Sequence, residues 1–313
     1  TDETDWLQSV RTLRTAPARA LSYQTRRFLQ FLAKHGTTTV ESKSGRIADE
    51  GTELKNIRIL AELHARPLNI VMTYEATHLT LPDAQLEMTP SLWHTTYLLP
   101  KIAGRKQVRF AEIGVGESAF THGEARLFLT NAIQLGMTPK VRYADATFPE
   151  ILLLLREMNV PVVDGIRDCS LTEAHALAEL GTVAVVTLPM RDGTPRRCIE
   201  HLRESGVSFA LATGFDNERQ PVFNMQAAIG IACREGGLTA AEAITAATIN
   251  GAYACAEASR TGSIQFGKDA DVLLLNVSDY RELVHHFGAN LVHMTLRQGE
   301  VVFREGELNW PAL

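Results

Sequence analysis

The chain has 313 residues, 45% of them hydrophobic and 21% charged, with a net charge of −5. That length suits one large domain or two ordinary ones, and the composition is that of a soluble globular protein. It excludes a nucleic-acid binder, because no basic run occurs, and a membrane-spanning chain, because the greasiest segment, Ile151–Leu155, is short and flanked by Glu150 and Arg156.

Four cysteines (Cys169, Cys198, Cys233 and Cys255) are widely spaced with no C-x-x-C. This reads as reduced thiols of a cytoplasmic protein rather than a zinc knuckle or disulfides. We read no signal peptide in the given residues, and a first residue of Thr1 instead of Met leads us to expect sequence removed or left out upstream.

In chain order, Thr1 to Gln8 is polar and reads as a loop. Ala18 to Lys34 has Leu21, Phe28, Phe31 and Leu32 at helical spacing and ends at Gly36. Thr37 to Ser42 is a β-branched strand with Lys43–Arg46 as its loop, and Thr52 to His64 is a helix. Asn69 to Tyr74 is a strand, followed by a loop with His78 and a helical or irregular segment from Asp83 to Lys101. Strands are then predicted at Val108–Ile113, Lys140–Tyr143, Val160–Val163, Val183–Leu188 and Phe209–Ala212. Helices alternate with them at Thr121–Leu135, Phe148–Met158, Ser170–Leu180 and Thr194–Ser205, the first and the last two closed by glycine.

Such alternation predicts a parallel sheet with right-handed crossovers, an α/β fold with seven strands where a standard barrel has eight. No G-x-G-x-x-G opens a helix, so an open dinucleotide-type sheet lacks its fingerprint. Ligands sit at the carboxyl ends of such strands, which points to Thr213–Asn217 and its equivalents. Two more helices follow, Met225–Arg234 and Thr239–Ala258, the second opened by a capping box of Thr239 and Glu242. From Gly262 the chain changes character, with short strands at Val272–Asn276, Leu291–Arg297 and Glu300–Phe303. We therefore divide the chain into a barrel, residues 1–258, and a small β module, residues 259–313.

The tail carries a resemblance. Gly262-Ser-Ile-Gln-Phe-Gly-Lys-Asp-Ala-Asp-Val-Leu273 resembles the GSLxxGKxADLV segment of the amidohydrolase superfamily, and Thr245–Ala252 resembles its TxNxA helix. Gly36–Gly45, Thr52–Lys55, Ala210–Thr213 and His286–Val292 are similar to imidazolonepropionases within that superfamily. The resemblance implies a (β/α)8 barrel of the TIM type and a β-sandwich built from both chain ends, with the first barrel strand upstream of Thr1. It also implies a hydrolase of cyclic amide C–N bonds using one zinc or iron ion, and a homodimer.

The resemblance further implies ligands from an H-x-H pair, a histidine on the fifth strand and an aspartate on the eighth. No H-x-H occurs here. Tyr143-Ala-Asp145 stands where the family has HADE, Val163-Asp-Gly165 where it has ADH, and Ala212-Thr-Gly-Phe-Asp216 where it has ATDFN. Zinc needs three or four converging His, Cys or carboxylate ligands, and glycine offers none. Only His78, in Ala76-Thr-His78, keeps a functional histidine of the family.

The expectation is therefore no metal cofactor. The chain reads as a barrel that has lost the metal site, either non-hydrolytic (ligand-binding or partner-regulating) or catalytic without metal. The alternative is an active cyclic-amide hydrolase with a non-standard metal site. Candidate catalytic residues are His78, Asp145 and Asp216. Candidate contacts to a small molecule at the mouth are Arg46, His78, Arg142, Tyr143 and Asn217, with Tyr143 and Asp145 on one side of their strand or Tyr143 filling the void a metal leaves. Glu41 and Glu112 read as structural ion pairs, and His94, His122, His175 and His201 as solvated helix residues. Expected partners are the small molecule and a second copy, or an active paralogue in a hetero-complex, with no nucleic acid and no membrane.

Overall fold

A repeated strand-then-helix pattern builds this molecule, and the computed structural model describes it over residues 3–44, 49–78, 88–144, 146–188, 195–216 and 220–306. Two helices come first, α1 (Glu3–Thr15) and α2 (Ala18–Lys34). Seven strands follow: β1 (Thr39–Ser44), β2 (Asn69–Ala76), β3 (Phe110–Val115), β4 (Thr138–Tyr143), β5 (Val162–Asp164), β6 (Val183–Thr187) and β7 (Phe209–Ala212). Between β1 and β2 lies α3 (Glu50–Leu63). Between β2 and β3 run α4 (Pro90–Leu92), a π-helical turn at Trp93–Leu98 and α5 (Leu99–Ala103). The later crossovers are α6 (His122–Gln134), α7 (Phe148–Met158), α8 (Leu171–Leu180) and α9 (Arg196–Glu204).

The strands pair in chain order, all parallel, from β1 to β7. Side chains show that the sheet curls. Four strand spacings separate β1 from β5, about 19 Å in a flat sheet. Yet Lys43 on β1 bonds Asp164 on β5. The outer face carries the main apolar core, with Tyr74, Ile113, Val141, Val163 and Val186 packed against Ile57, Phe128, Leu154, Leu177 and Ile199 of the helices. The inner face is divided. From β5 to β7 it is small and apolar (Val162, Val183, Val185, Ala210 and Ala212), and from β1 to β5 it is charged.

Helix α10 (Met225–Arg234), α11 (Ala240–Ala247) and α12 (Ile249–Ala254) follow β7. Thr239 to Ala258, expected as one helix, breaks at Thr248, whose φ of −117° and ψ of −89° are not helical. The break lets Asn250 Nδ2 donate to the Phe209 carbonyl at 2.8 Å and brings Ala254 under the apolar half of the inner face. The segment Thr1–Gln8, expected as a loop, is helical from Glu3. Val10 is buried, and Lys55 Nζ caps the end of α1 on the carbonyls of Leu13 (2.5 Å) and Ala16 (3.1 Å).

Four helices, α6, α7, α8 and α11, open with Ser or Thr and a Glu three residues on, a capping box in each case. The tail is an antiparallel sheet of β8 (Val272–Leu275), β9 (Val292–Arg297) and β10 (Glu300–Arg304), with α13 (Glu282–His285) between its first two strands. Thr295 Oγ1 on β9 ties it to the Ala33 carbonyl of α2 at 2.8 Å. The four cysteines are free thiols. Among the described residues no helix is long and apolar enough to cross a membrane.

Candidate functional site

All seven strands point their carboxyl ends the same way, so one mouth gathers the residues that follow them. Alternation decides what faces the axis. On β1 the inward residues include Glu41 and Lys43, on β2 Thr73 and Glu75, on β3 Glu112 and Gly114, on β4 Lys140 and Arg142, and on β5 Asp164. Lys140 Nζ bonds both oxygens of Glu41 at 2.7 Å and lies 3.9 Å from Glu112 Oε2 and 3.8 Å from Asp164 Oδ2. Lys43 Nζ bonds Glu112 Oε1 at 2.7 Å and also bonds Asp164. Arg142 Nε bonds Glu75 Oε1 at 2.7 Å. Among the described residues three cations thus meet four carboxylates inside the barrel.

Burial works against the Lys43 ammonium, but Asp164, Glu112, Glu41 and Glu75 outweigh it and hold Lys43 charged, well above the usual lysine range. Lys140 is also held up, Glu41 offsetting its burial. Burial would raise Asp164, yet Lys43, Lys140 and the Gly165 N–H take it down to about 2. Glu112 is the odd carboxylate. Burial pushes it up to about 7, with Asp164 repelling it while Lys43 and Lys140 pull the other way. Its Oε2 has no hydrogen-bond partner among the described residues.

The structure redirects several sequence-derived candidates. Tyr143 does not face the axis. It packs on the outer core, its ring 6.1 Å from that of Phe148 on α7, so it neither fills a void at the mouth nor lines it. The inward residue at the end of β4 is Arg142, one position earlier, as strand alternation requires. His78 is exposed just past β2, its ring edge-on to Phe120 at 6.4 Å. Asp216 forms a backbone bridge with Gln220, and the adjacent Phe215 stacks on Phe28 at 4.3 Å. Arg46, Asp145 and Asn217 lie outside the described residues.

His94, expected to be solvated, is buried beneath the mouth. It pairs with the Tyr74 hydroxyl and accepts from the Thr77 N–H at 3.3 Å through Nε2. Burial takes it down to about 4, so it is neutral at ordinary pH. Glu41 and Glu112 are ion-paired as expected, but Lys43, Glu75 and Lys140 went unread as partners. The available signal was the charged pairs at i and i+2 in apolar strands. Lys43, expected in a loop, lies on β1, which runs on to Ser44.

The described residues do not fit the metal that the resemblance implies. Gly165 and Gly214 both have left-handed backbone, with φ of +74° and +57°. A Cβ at 165 would sit 3.3 Å from the Tyr143 carbonyl oxygen, and one at 214 would collide with Thr187 Cγ2. These positions therefore lack both a donor side chain and a backbone suited to one. The carboxylates of Glu112 and Asp164 already hold the Lys43 ammonium between them. Among the described residues no three His, Cys, Asp or Glu side chains converge to hold a metal. Gly214→Asp is expected to lower stability by about 1–3 kcal/mol through backbone strain and crowding against Thr187. Thermal unfolding with and without zinc checks this: a variant as stable as the parent and raised further by zinc would show that the site accepts a ligand there.

A curled parallel sheet wrapped in helices, with a polar mouth and a small antiparallel sheet, defines a barrel protein of the amidohydrolase type. The amidohydrolase family profile matches residues 123–302, and the chain belongs to that family. Within it the chain is imidazolonepropionase-like. It is 30% identical over 309 residues to the imidazolonepropionase of Brevibacillus brevis, covering 94% of this chain and 70% of that one. It is 31% identical over 307 residues to that of Treponema denticola, covering 96% and 74%. Among solved structures, a triazine hydrolase variant superposes with a TM-score of 0.74 at 13% identity, covering 97% of this chain and 77% of that one. The ochratoxinase of A. niger gives 0.69 at 14%, covering 94% and 78%. These two support the fold alone.

Proposed function

We propose that this imidazolonepropionase-like barrel binds a small molecule at its mouth without metal-dependent hydrolysis. One observation carries the reading: the strand end where the resemblance puts the aspartate ligand is a left-handed glycine, Gly214, as is Gly165 where it puts a further histidine. The Lys43 ammonium between Glu112 and Asp164 supports it, because a fixed internal cation already bonds both of these carboxylates. What remains at the mouth is a set of positioned charges suited to holding a ligand, with His78 at its rim. We place the protein in the cytoplasm, acting as a homodimer or with an active paralogue.

The second reading, a cyclic-amide hydrolase with a non-standard metal site, is favoured by relatives that bear the name imidazolonepropionase. Metal content by plasma mass spectrometry, together with turnover of imidazolonepropionate with and without chelator, separates the two. We expect substoichiometric metal and no chelator-sensitive turnover. Close to one zinc, iron or manganese per chain with turnover lost on chelation would establish the hydrolase instead.

A further inference from the structure

We propose that the Arg142 end of the internal charge cluster is a binding site for a small carboxylate monoanion, received on the two terminal amino groups of the guanidinium. The site deepens the reading above, on which it rests for a mouth that takes a small molecule.

Arg142 occupies the last inward position of β4. Lys140, one layer deeper on the same face, has a fully buried side chain, whereas that of Arg142 is 29% exposed. Its Nε is committed to Glu75 at 2.7 Å. Nη1 and Nη2 have no hydrogen-bond partner among the described residues. A guanidinium anchored through Nε with its outer fork unspent is preorganised for a planar carboxylate, which takes two parallel N–H bonds.

The neighbouring strands make room for that fork. Gly114 pairs with Arg142 in the β3–β4 register, and a Cβ there would lie 2.5 Å from Nη2. Gly114 is not left-handed, so its backbone does not require glycine; what glycine provides is space for the guanidinium. On the other side Asp164 pairs with Arg142, and Gly165 follows it. A Cβ at 165 would come 3.8 Å from Arg142 Cγ.

Charge selects the ligand class. Among the described residues the groups facing this end are Glu41 and Lys43 on β1, Glu75 on β2, Glu112 on β3, Lys140 on β4 and Asp164 on β5. With all of them ionised, and Arg142 included, the cluster carries one negative charge in excess. A dianion would meet that excess twice over. A monoanion needs only one proton taken up elsewhere, and Glu112 is the carboxylate that takes it most readily. Binding is therefore coupled to protonation of Glu112 and strengthens as pH falls from 8 to 6.

The test uses the whole protein labelled with 15N on arginine side chains, titrated with butyrate, with butyramide as the uncharged isostere and with inorganic phosphate. We expect butyrate to shift one arginine Nε signal saturably, butyramide to leave it in place, and phosphate to bind more weakly. Gly114→Ala keeps every charge but presses a methyl group on Nη2, and Arg142→Lys keeps the charge but loses the fork. Each is expected to weaken butyrate binding about tenfold or more, with thermal unfolding confirming the fold. A butyrate response no stronger than that to butyramide, one unchanged in both variants, or tighter phosphate binding overturns the proposal. A metal-containing hydrolase that keeps the arginine response sinks the metal-free reading alone. A metal-free protein without the response sinks this proposal alone.

Discussion

Replacing Lys140 with methionine is expected to lower the stability of the barrel by about 3–5 kcal/mol. The side chain is fully buried, bonds both oxygens of Glu41 and lies within 4 Å of Glu112 and Asp164. Methionine fits the same space, so packing changes little. What changes is charge: Glu41 loses its cation, and the interior goes from one carboxylate in excess to two. Removing one partner of a buried pair costs far more than the pair contributes over an apolar replacement, because the remaining charge is left uncompensated. Urea unfolding measures the loss.

Two companion variants show whether charge is the cause. Lys43→Met leaves Glu112 and Asp164, which are themselves buried, but Lys140 remains within 4 Å of both, so the cost is expected to be smaller. Lys140→Met combined with Glu41→Gln removes the orphaned charge along with its partner. It is expected to recover part of the loss, giving a coupling that two independent sites would not show. A Lys140→Met cost below about 1 kcal/mol would mean that water reaches the cluster and that the ion pairs behave as surface pairs.

The alternation of strands and helices was legible because βα units carry strong local signals: β-branched runs, glycine stops and, in four helices, a Ser or Thr followed by Glu. What sequence reading missed depended on phase rather than on element type. Tyr143 is the conspicuous residue at the end of β4, but a strand shows alternate residues to opposite faces, and the parity set by Lys140 sends Arg142 inward and Tyr143 out to Phe148. Reading Lys43 as part of a loop hid the same rule on β1. His94 was invisible for another reason. Its burial depends on a π-helical turn packing under Tyr74, a contact across sequence that no local pattern encodes. The long-range pairs of Lys43 with Asp164 and of Lys140 with Glu41 exist only once the sheet curls.

Stability is expected to fall as pH rises from about 4.5 to about 7, and Glu112 is the cause. In the unfolded chain this carboxyl titrates near 4.5, and in the folded protein near 7. Between those values the folded state keeps a proton that the unfolded state has lost. The stabilisation is therefore complete below about 4.5 and disappears as pH passes 7, a change of about 1.4 kcal/mol per pH unit and about 3 kcal/mol in all. Asp164 acts in the opposite sense. Its folded value of about 2 lies below the ordinary 3.8, so its contribution is present above that value and is lost as pH falls toward 2. The two limbs together place this cluster's optimum on the acid side of neutrality. Glu112→Gln keeps the shape and removes the titrating proton. Urea unfolding from pH 4.5 to 7.5 should then show a falling curve for the wild type and a flatter one for the variant. Parallel curves would mean that Glu112 is ionised throughout. The cluster would then keep its excess negative charge at neutral pH, and Arg142 would have to receive an anion without help from a proton.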